Sequence, residues 1–399
     1  MEQPSTIKIS ANLNCDNDAP PITFTRYLYV KDEVELALVT SLLDKKEKAI
    51  FWAYELYYSG FEKELFNHLW KIYFDFYYTL NPSFYDYFVK KCKEWGKMSP
   101  GIERDKIIII IVSDLLIRPH NLDVFLLREI TQNFAIDLPE NNNDNNNNNN
   151  KFIQIKHWFL CKEYLNIAEF ILHKCNDDAL GELLDFIACY FKESTPTKKM
   201  VEHKINKNIN IVKINKRHMM LAYVMMQFSI IENIKMGKKL YIIVDDADAK
   251  KYETIYSDYN SSFYPYKILP KVYLHGIDEE NYLCLFNLQR NSINLSDAYL
   301  RHWEYYASYS PVWSNRIKQF QGTINHILKK IDFPDDDLFE EFYDSYNYET
   351  DEQKPETTNK SIQPIKSGKT WNDFYETHKK NGLYIPEAEF LEEMGTINA

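Results

Sequence analysis

From residue 32 onward, apolar side chains recur every three or four positions: Val34, Leu38, Leu42 and Leu43, then, past a lysine-rich break, Ile50, Phe51, Tyr54, Tyr57 and Tyr58 up to Gly60. That spacing lays one apolar stripe along each of two helices and predicts an antiparallel pair. A second pair follows, with Leu65, Leu69, Ile72, Tyr73 and Phe76 on one helix, a stop at Asn81 and Pro82, and Tyr85, Phe88, Val89 and Cys92 on the next. The run 107–112 has the β-branching of a buried strand, but residues 104–118 have helix length and helical neighbours, so a helix is expected. Residues 122–134 repeat the pattern, the Asn tract 141–150 can bury nothing, and helical spacing resumes over 152–175, 178–191 and 217–236.

Beyond residue 239 the texture changes. Leu240, Tyr241, Ile242, Ile243 and Val244 form a short apolar run before Asp245, Asp246 and Asp248, which fits a strand or a helix end. Two prolines make 264–275 extended or looped, whereas 279–288 and 296–331 return to helical spacing, the latter broken at Pro311. An acidic run (Asp335, Asp336, Asp337, Glu340, Glu341) and a polar stretch to Gly368 then precede spaced aromatics.

The expected fold is mainly α: an irregular helical-hairpin array, α-solenoid-like, with a second α-rich domain containing little β and a disordered C-terminal linker. The divisions expected are a flexible N-terminus (1–24), a helical-hairpin domain (25–138), an Asn-rich loop (139–151), a helical continuation (152–236), a second α-rich domain (237–345), the linker (346–368) and an aromatic docking segment (369–399). In that last segment Trp371, Phe374, Tyr375, Tyr384, Phe390 and Leu391 are expected to bind a partner or to fold back on the body.

Composition narrows the chemistry. Only 10 glycines stand against 30 tyrosines and 24 phenylalanines in 399 residues, which disfavours phosphate cradles built on glycine-rich turns. The six cysteines are scattered without a Cys-x-x-Cys pair, as reduced thiols would be, and no apolar signal core or membrane-length run is present. These features lead us to expect a soluble protein in the cytoplasm. A net charge of -11 does not favour general affinity for nucleic acid, but Lys198, Lys199, Lys204, Lys207, Lys213, Lys216 and Arg217 form one basic run. From it Lys204, Lys207, Lys213, Lys216 and Arg217 are the expected nucleic-acid contacts.

No complete catalytic motif is found. The apolar run ending in Asp245 and Asp246 resembles the magnesium-binding strand of ATPases, but the one Gly-Lys-Thr, at Gly368, lacks the preceding glycine and strand. His157 and Cys161 lie one helical turn apart around Trp158, Phe159 and Leu160, and two ligands read as packing rather than as a metal site. Neither cofactor nor metal is expected. Tyr299, Trp303, Tyr305, Tyr306, Tyr309 and Trp313 form the densest aromatic cluster, expected mostly as core.

Residues 31–95, with Phe51, Trp52, Ala53 and Tyr54, and the later run Trp303, Tyr305, Tyr306, Ala307, Ser308, Ser310, Pro311 and Trp313 resemble a helical protein group of giant DNA viruses. The architecture is also similar to the middle domain of translation-initiation scaffolds. Their cap-factor docking motif is a Tyr, four residues, a Leu and an apolar residue; after Tyr384 this chain has Glu389 in the Leu position, then Phe390 and Leu391. The resemblances imply a non-enzymatic viral adaptor in the infected cell or viral factory, binding viral or host proteins. The alternative is a nucleic-acid-associated factor of viral gene expression using residues 198–217.

Overall fold

In a chain rich in tyrosine, the core must hold hydroxyls as well as rings, and each buried hydroxyl needs a hydrogen-bond partner. The first helices show how this is met. Helix α1 (Lys31–Leu43) packs on α2 (Lys48–Tyr58), and α2 packs in turn on α5 (Ile102–Leu116). Tyr57 and Tyr58 donate to the two carboxylate oxygens of Asp105 at 2.7 and 3.0 Å, and Tyr54 to its backbone carbonyl at 2.9 Å.

The computed structural model describes residues 22–138, 152–194, 215–252, 268–286, 288, 290, 292–346, 348–366 and 368–397. The described residues are 62% helical with two short strands, so the mainly α expectation holds. Helix α3 (Glu62–Ile72) widens into a π turn at Tyr73–Tyr77, and α4 (Phe84–Trp95), α5 and α6 (Asp123–Asn133) complete the first array. The isoleucine run 107–112 is helical, as its length predicts. Helices α7 (Ile153–Cys161), α8 (Tyr164–Glu169), α9 (Leu180–Ser194) and α10 (Lys216–Ile231) continue it, α10 packing on α6.

The second half holds the short helices α11 (Asp246–Lys250), α12 (Leu269–Val272), α13 (Leu295–Arg301) and α14 (Trp303–Ala307), then α15 (Pro311–Gln319). A hairpin of β1 (Thr323–Asn325) and β2 (Lys330–Asp332) follows, then α16 (Asp336–Tyr346), α17 (Pro355–Thr358), α18 (Trp371–His378) and α19 (Ala388–Ile397).

The stretches expected as two domains share one core. Phe24 meets Tyr299 and Tyr306 edge-on, and the Trp313 indole donates to the Thr25 carbonyl at 3.1 Å. The aromatic run 299–313 is therefore mostly core, as its composition suggests, with Trp303 edge-on to Trp313. The end of α2 meets the start of α15 at Gly60, whose φ of +91° suits glycine and where a Cβ would come within 2.5 Å of Pro311 Cβ.

Three expectations change. The run 240–244 joins no sheet: it lies extended over α4 and α5, with Arg118 donating to Leu240 O at 2.6 Å, Ile242 N–H donating to Asp114, and Tyr241 against Tyr87. The helical spacing over 296–331 is false at its end, because 323–332 is the antiparallel hairpin. The stretch 346–368, polar enough to suggest a disordered linker, is anchored to the body at several points, with exposed residues between them. Tyr348, Thr350, Thr357 and Ser361 are buried, and Lys360 O accepts from Ile277 N at 2.8 Å. Small hydroxyl side chains bury here because neighbouring hydroxyls and carbonyls satisfy them: Ser361 accepts from Tyr273 at 3.2 Å.

Candidate functional site

The C-terminal aromatics lie on the protein's own body. Thr370 and Asp373 close a capping box that starts α18, which explains Gly-Lys-Thr as a helix entry rather than a phosphate loop. Trp371, Phe374 and His378 fall on one face of that helix and are buried. The rings of Trp371 and Phe374 meet Phe125 of α6 and Phe286, and Phe374 also meets Tyr282. Further on, Asp123 accepts from the backbone N–H groups of Leu383 (2.9 Å) and Tyr384 (3.1 Å), and Phe390 of α19 packs edge-on against Phe134. Leu391 is buried; Tyr375 and Tyr384 are half-buried. The residues expected to bind a partner are thus occupied within the chain, and of the two outcomes weighed for this segment it is the fold-back that is seen.

Titratable groups crowd this dock. Burial, aided by Lys45, holds the His120 imidazole down at about 3 and that of His378 at about 4. Burial pushes the Asp123 carboxyl up to about 7, against the lowering effect of the two tail N–H groups.

Of the basic run, Lys204, Lys207 and Lys213 lie outside the described residues. Lys216 is exposed at the start of α10. Arg217 is committed elsewhere: it donates to the carbonyls of Ile171 (2.9 Å) and Cys175 (2.6 Å) and to Asp177 (2.6 Å). It forms part of the wall of a cavity of about 420 Å³ that Lys71, Arg128, His173 and His218 also line. Buried Asp75 already holds Arg128 at 3.0 Å and His218 at 2.7 Å, and the Arg128 guanidinium, with the His218 ring hydrogen-bonded beside it, keeps its carboxyl far below the usual range despite burial. Lys71 is left as the one lysine or arginine of this wall without a carboxylate partner among the described residues. The acidic triplet is likewise structural: Asp245 caps α11 by accepting from Asp248 N–H, and Asp246 pairs with Lys106.

The surface feature that structure adds is the hairpin tip. Ile324, Ile327, Leu328 and Ile331 have the i, i+3, i+4, i+7 spacing of a buried helix face, yet only Ile331 is buried. Ile327 is 92% exposed and Leu328 57%. The tip is held firmly. Ile324 pairs with Ile331 in the ladder, and the Asn325 side chain accepts from Leu328 N–H at 3.0 Å while donating to Asp332 at 2.8 Å. His302 donates to Lys329 O at 2.9 Å, tying the loop to the α13–α14 corner, and His326 lies 3.4 Å from the hydroxyls of Tyr305 and Tyr309. Gly322 makes the entry possible: a Cβ there would stand 2.8 Å from both Ile317 and Ile331. Sequence reasoning missed this site because its apolar spacing imitates a helix; Gly322 and Asn325 were the local signals against one.

No family model, curated protein or solved structure matches this chain. Among the described residues no helix is long and apolar enough to cross a membrane.

Proposed function

We propose that the protein is a non-enzymatic adaptor that engages a protein partner through the β1–β2 hairpin tip, with Ile327 and Leu328 as anchors. One observation carries this reading: two adjacent large apolar side chains stand in solvent on a loop whose backbone is fixed by Asn325, His302 and the strand ladder. Single exposed apolar residues are ordinary, but a paired, preorganised tip loses little entropy on binding. Burying what remains exposed of both anchors contributes on the order of 2–4 kcal/mol before association costs. Lys329 stands beside the tip while Lys330 is paired with Asp332, so the partner best suited is an apolar pocket with a carboxylate at its rim facing Lys329. The viral and cytoplasmic setting, with viral or host proteins as partners and translation initiation as a process, is carried over from the sequence resemblance. The C-terminal segment enters this proposal as a strap on the helical body rather than as the docking element.

The test is affinity purification of the full chain and of I327D/L328D from cells in which it acts, with quantitative mass spectrometry. Specific protein partners should be lost from the variant while its melting temperature is unchanged; full retention of partners would remove the hairpin from the account.

The second reading, a nucleic-acid-associated factor, rests on Lys71 and Lys216 near the end of the basic run. It requires binding that weakens steeply with salt and is reduced by K71Q/K216Q.

A further inference from the structure

The turn that ends α7 places three donors of zinc-binding type together. His157 and Cys161 lie one helical turn apart on the same face of α7, with the Cys161 sulfur 3.6 Å from His157 Nε2. Lys162 then adopts the left-handed conformation, with φ of 57° and ψ of 37°, and turns the chain so that Glu163 comes back to the same spot. One ligand atom from each of the three lies within 4.8 Å of the other two.

In a tetrahedral zinc site with Zn–S of about 2.3 Å and Zn–N or Zn–O of about 2.0 Å, donor atoms sit about 3.3–3.8 Å apart. The histidine–cysteine distance already meets this, and the remaining closure of up to about 1.5 Å lies within side-chain rotation for exposed groups. The support beneath is rigid. Trp158 and Phe159, between the two helical ligands, are buried, and Phe159 packs on Phe191 and Phe228. Lys162 pairs with Glu232, and the Glu163 backbone is fixed on both sides, its N–H donating to Trp158 O and its carbonyl accepting from Ile167 N–H. Asn166 donates to Glu163 Oε2 at 2.7 Å, orienting the carboxylate from behind as outer-sphere partners of metal ligands do.

We infer that His157, Cys161 and Glu163 form a zinc site with three protein ligands and one position left to solvent. A thiolate with an imidazole and a carboxylate selects zinc over magnesium or calcium, which take all-oxygen shells. Binding forms the Zn–S bond as the Cys161 thiol gives its proton to solvent, so affinity rises with pH. The ion would join the end of α7 to the start of α8.

The test is titration of the reduced full-length protein with Co2+ alone, followed by Zn2+ in competition. One equivalent of cobalt should produce a thiolate charge-transfer band that one equivalent of zinc removes. C161S should abolish the band, H157A and E163Q should weaken binding by at least about tenfold, and N166A should do so by about tenfold. C189S, at the exposed cysteine of α9, should change nothing. The ligands are exposed or half-buried, so these variants should keep their circular dichroism. No saturable band, a band that survives C161S, or one lost in C189S would overturn the assignment.

Discussion

Truncating Phe374 probes the attachment of the C-terminal segment directly. Its ring is fully buried among Phe125, Phe286, Trp371, Tyr282 and His378, and it sits at the centre of the face that α18 presents. F374A removes the ring from a site that cannot collapse fully, a change worth about 3–5 kcal/mol. At about 1.4 kcal/mol per decade, the opening equilibrium of residues 369–397 should rise by roughly 10²-fold to a few thousand-fold. Hydrogen exchange followed by mass spectrometry reads this by peptide. Protection should fall across α18, the 383–384 strap and α19, and on the facing α6 peptide, while α2 and α5 keep theirs. Unchanged exchange in the C-terminal peptides would refute the placement of this segment on α6.

Three further outcomes follow from buried charge and close packing. His120 and His378 are held below their ordinary value of 6.5, so the stability they contribute is present above that pH and is lost as pH falls from there towards about 3 for His120 and about 4 for His378. Asp123 acts oppositely: its raised carboxyl contributes stability at low pH that is lost as pH rises through about 7. Acidification from pH 7 to 4 should therefore increase exchange of the C-terminal segment, less so in H378F and more so in D123N. Removing the charge of Asp75 leaves Arg128 and His218 buried without their carboxylate, so D75N should lower stability in urea unfolding by about 3–5 kcal/mol. Adding a Cβ at Gly382 would bring it 2.9 Å from the Asp123 carboxylate, so G382A should lower the melting temperature and raise exchange at Leu383 and Tyr384.

Much of the helical architecture was legible because apolar residues at helical spacing in the first array do face the core, from Val34 to Ile130. The same rule failed at 323–332. There a rigid loop carries the spacing without a helix, and periodicity alone cannot tell a buried stripe from a hairpin with exposed isoleucines. The anchoring of 346–368 is not legible because composition measures hydrophobicity, whereas Thr350, Thr357 and Ser361 are small polar residues that are buried all the same, Ser361 as the acceptor of the Tyr273 hydroxyl. The aromatic spacing of the C-terminal segment announced a docking face but not whose surface it meets. That answer lies in Phe125, Phe134 and Asp123, some 250 residues earlier, and long-range pairing of this kind leaves no local mark. His157 and Cys161 were visible as a pair; Glu163 joins them only through the left-handed turn at Lys162, a conformation its residue type does not signal.

The most direct test of the adaptor account is the comparison of partners recovered by the full chain and by I327D/L328D. The account predicts that a small, nuclease-resistant set of proteins accompanies the full chain and is lost from the variant at unchanged thermal stability. Recovery of the same set by both proteins, or a nuclease-sensitive set in both, would contradict it.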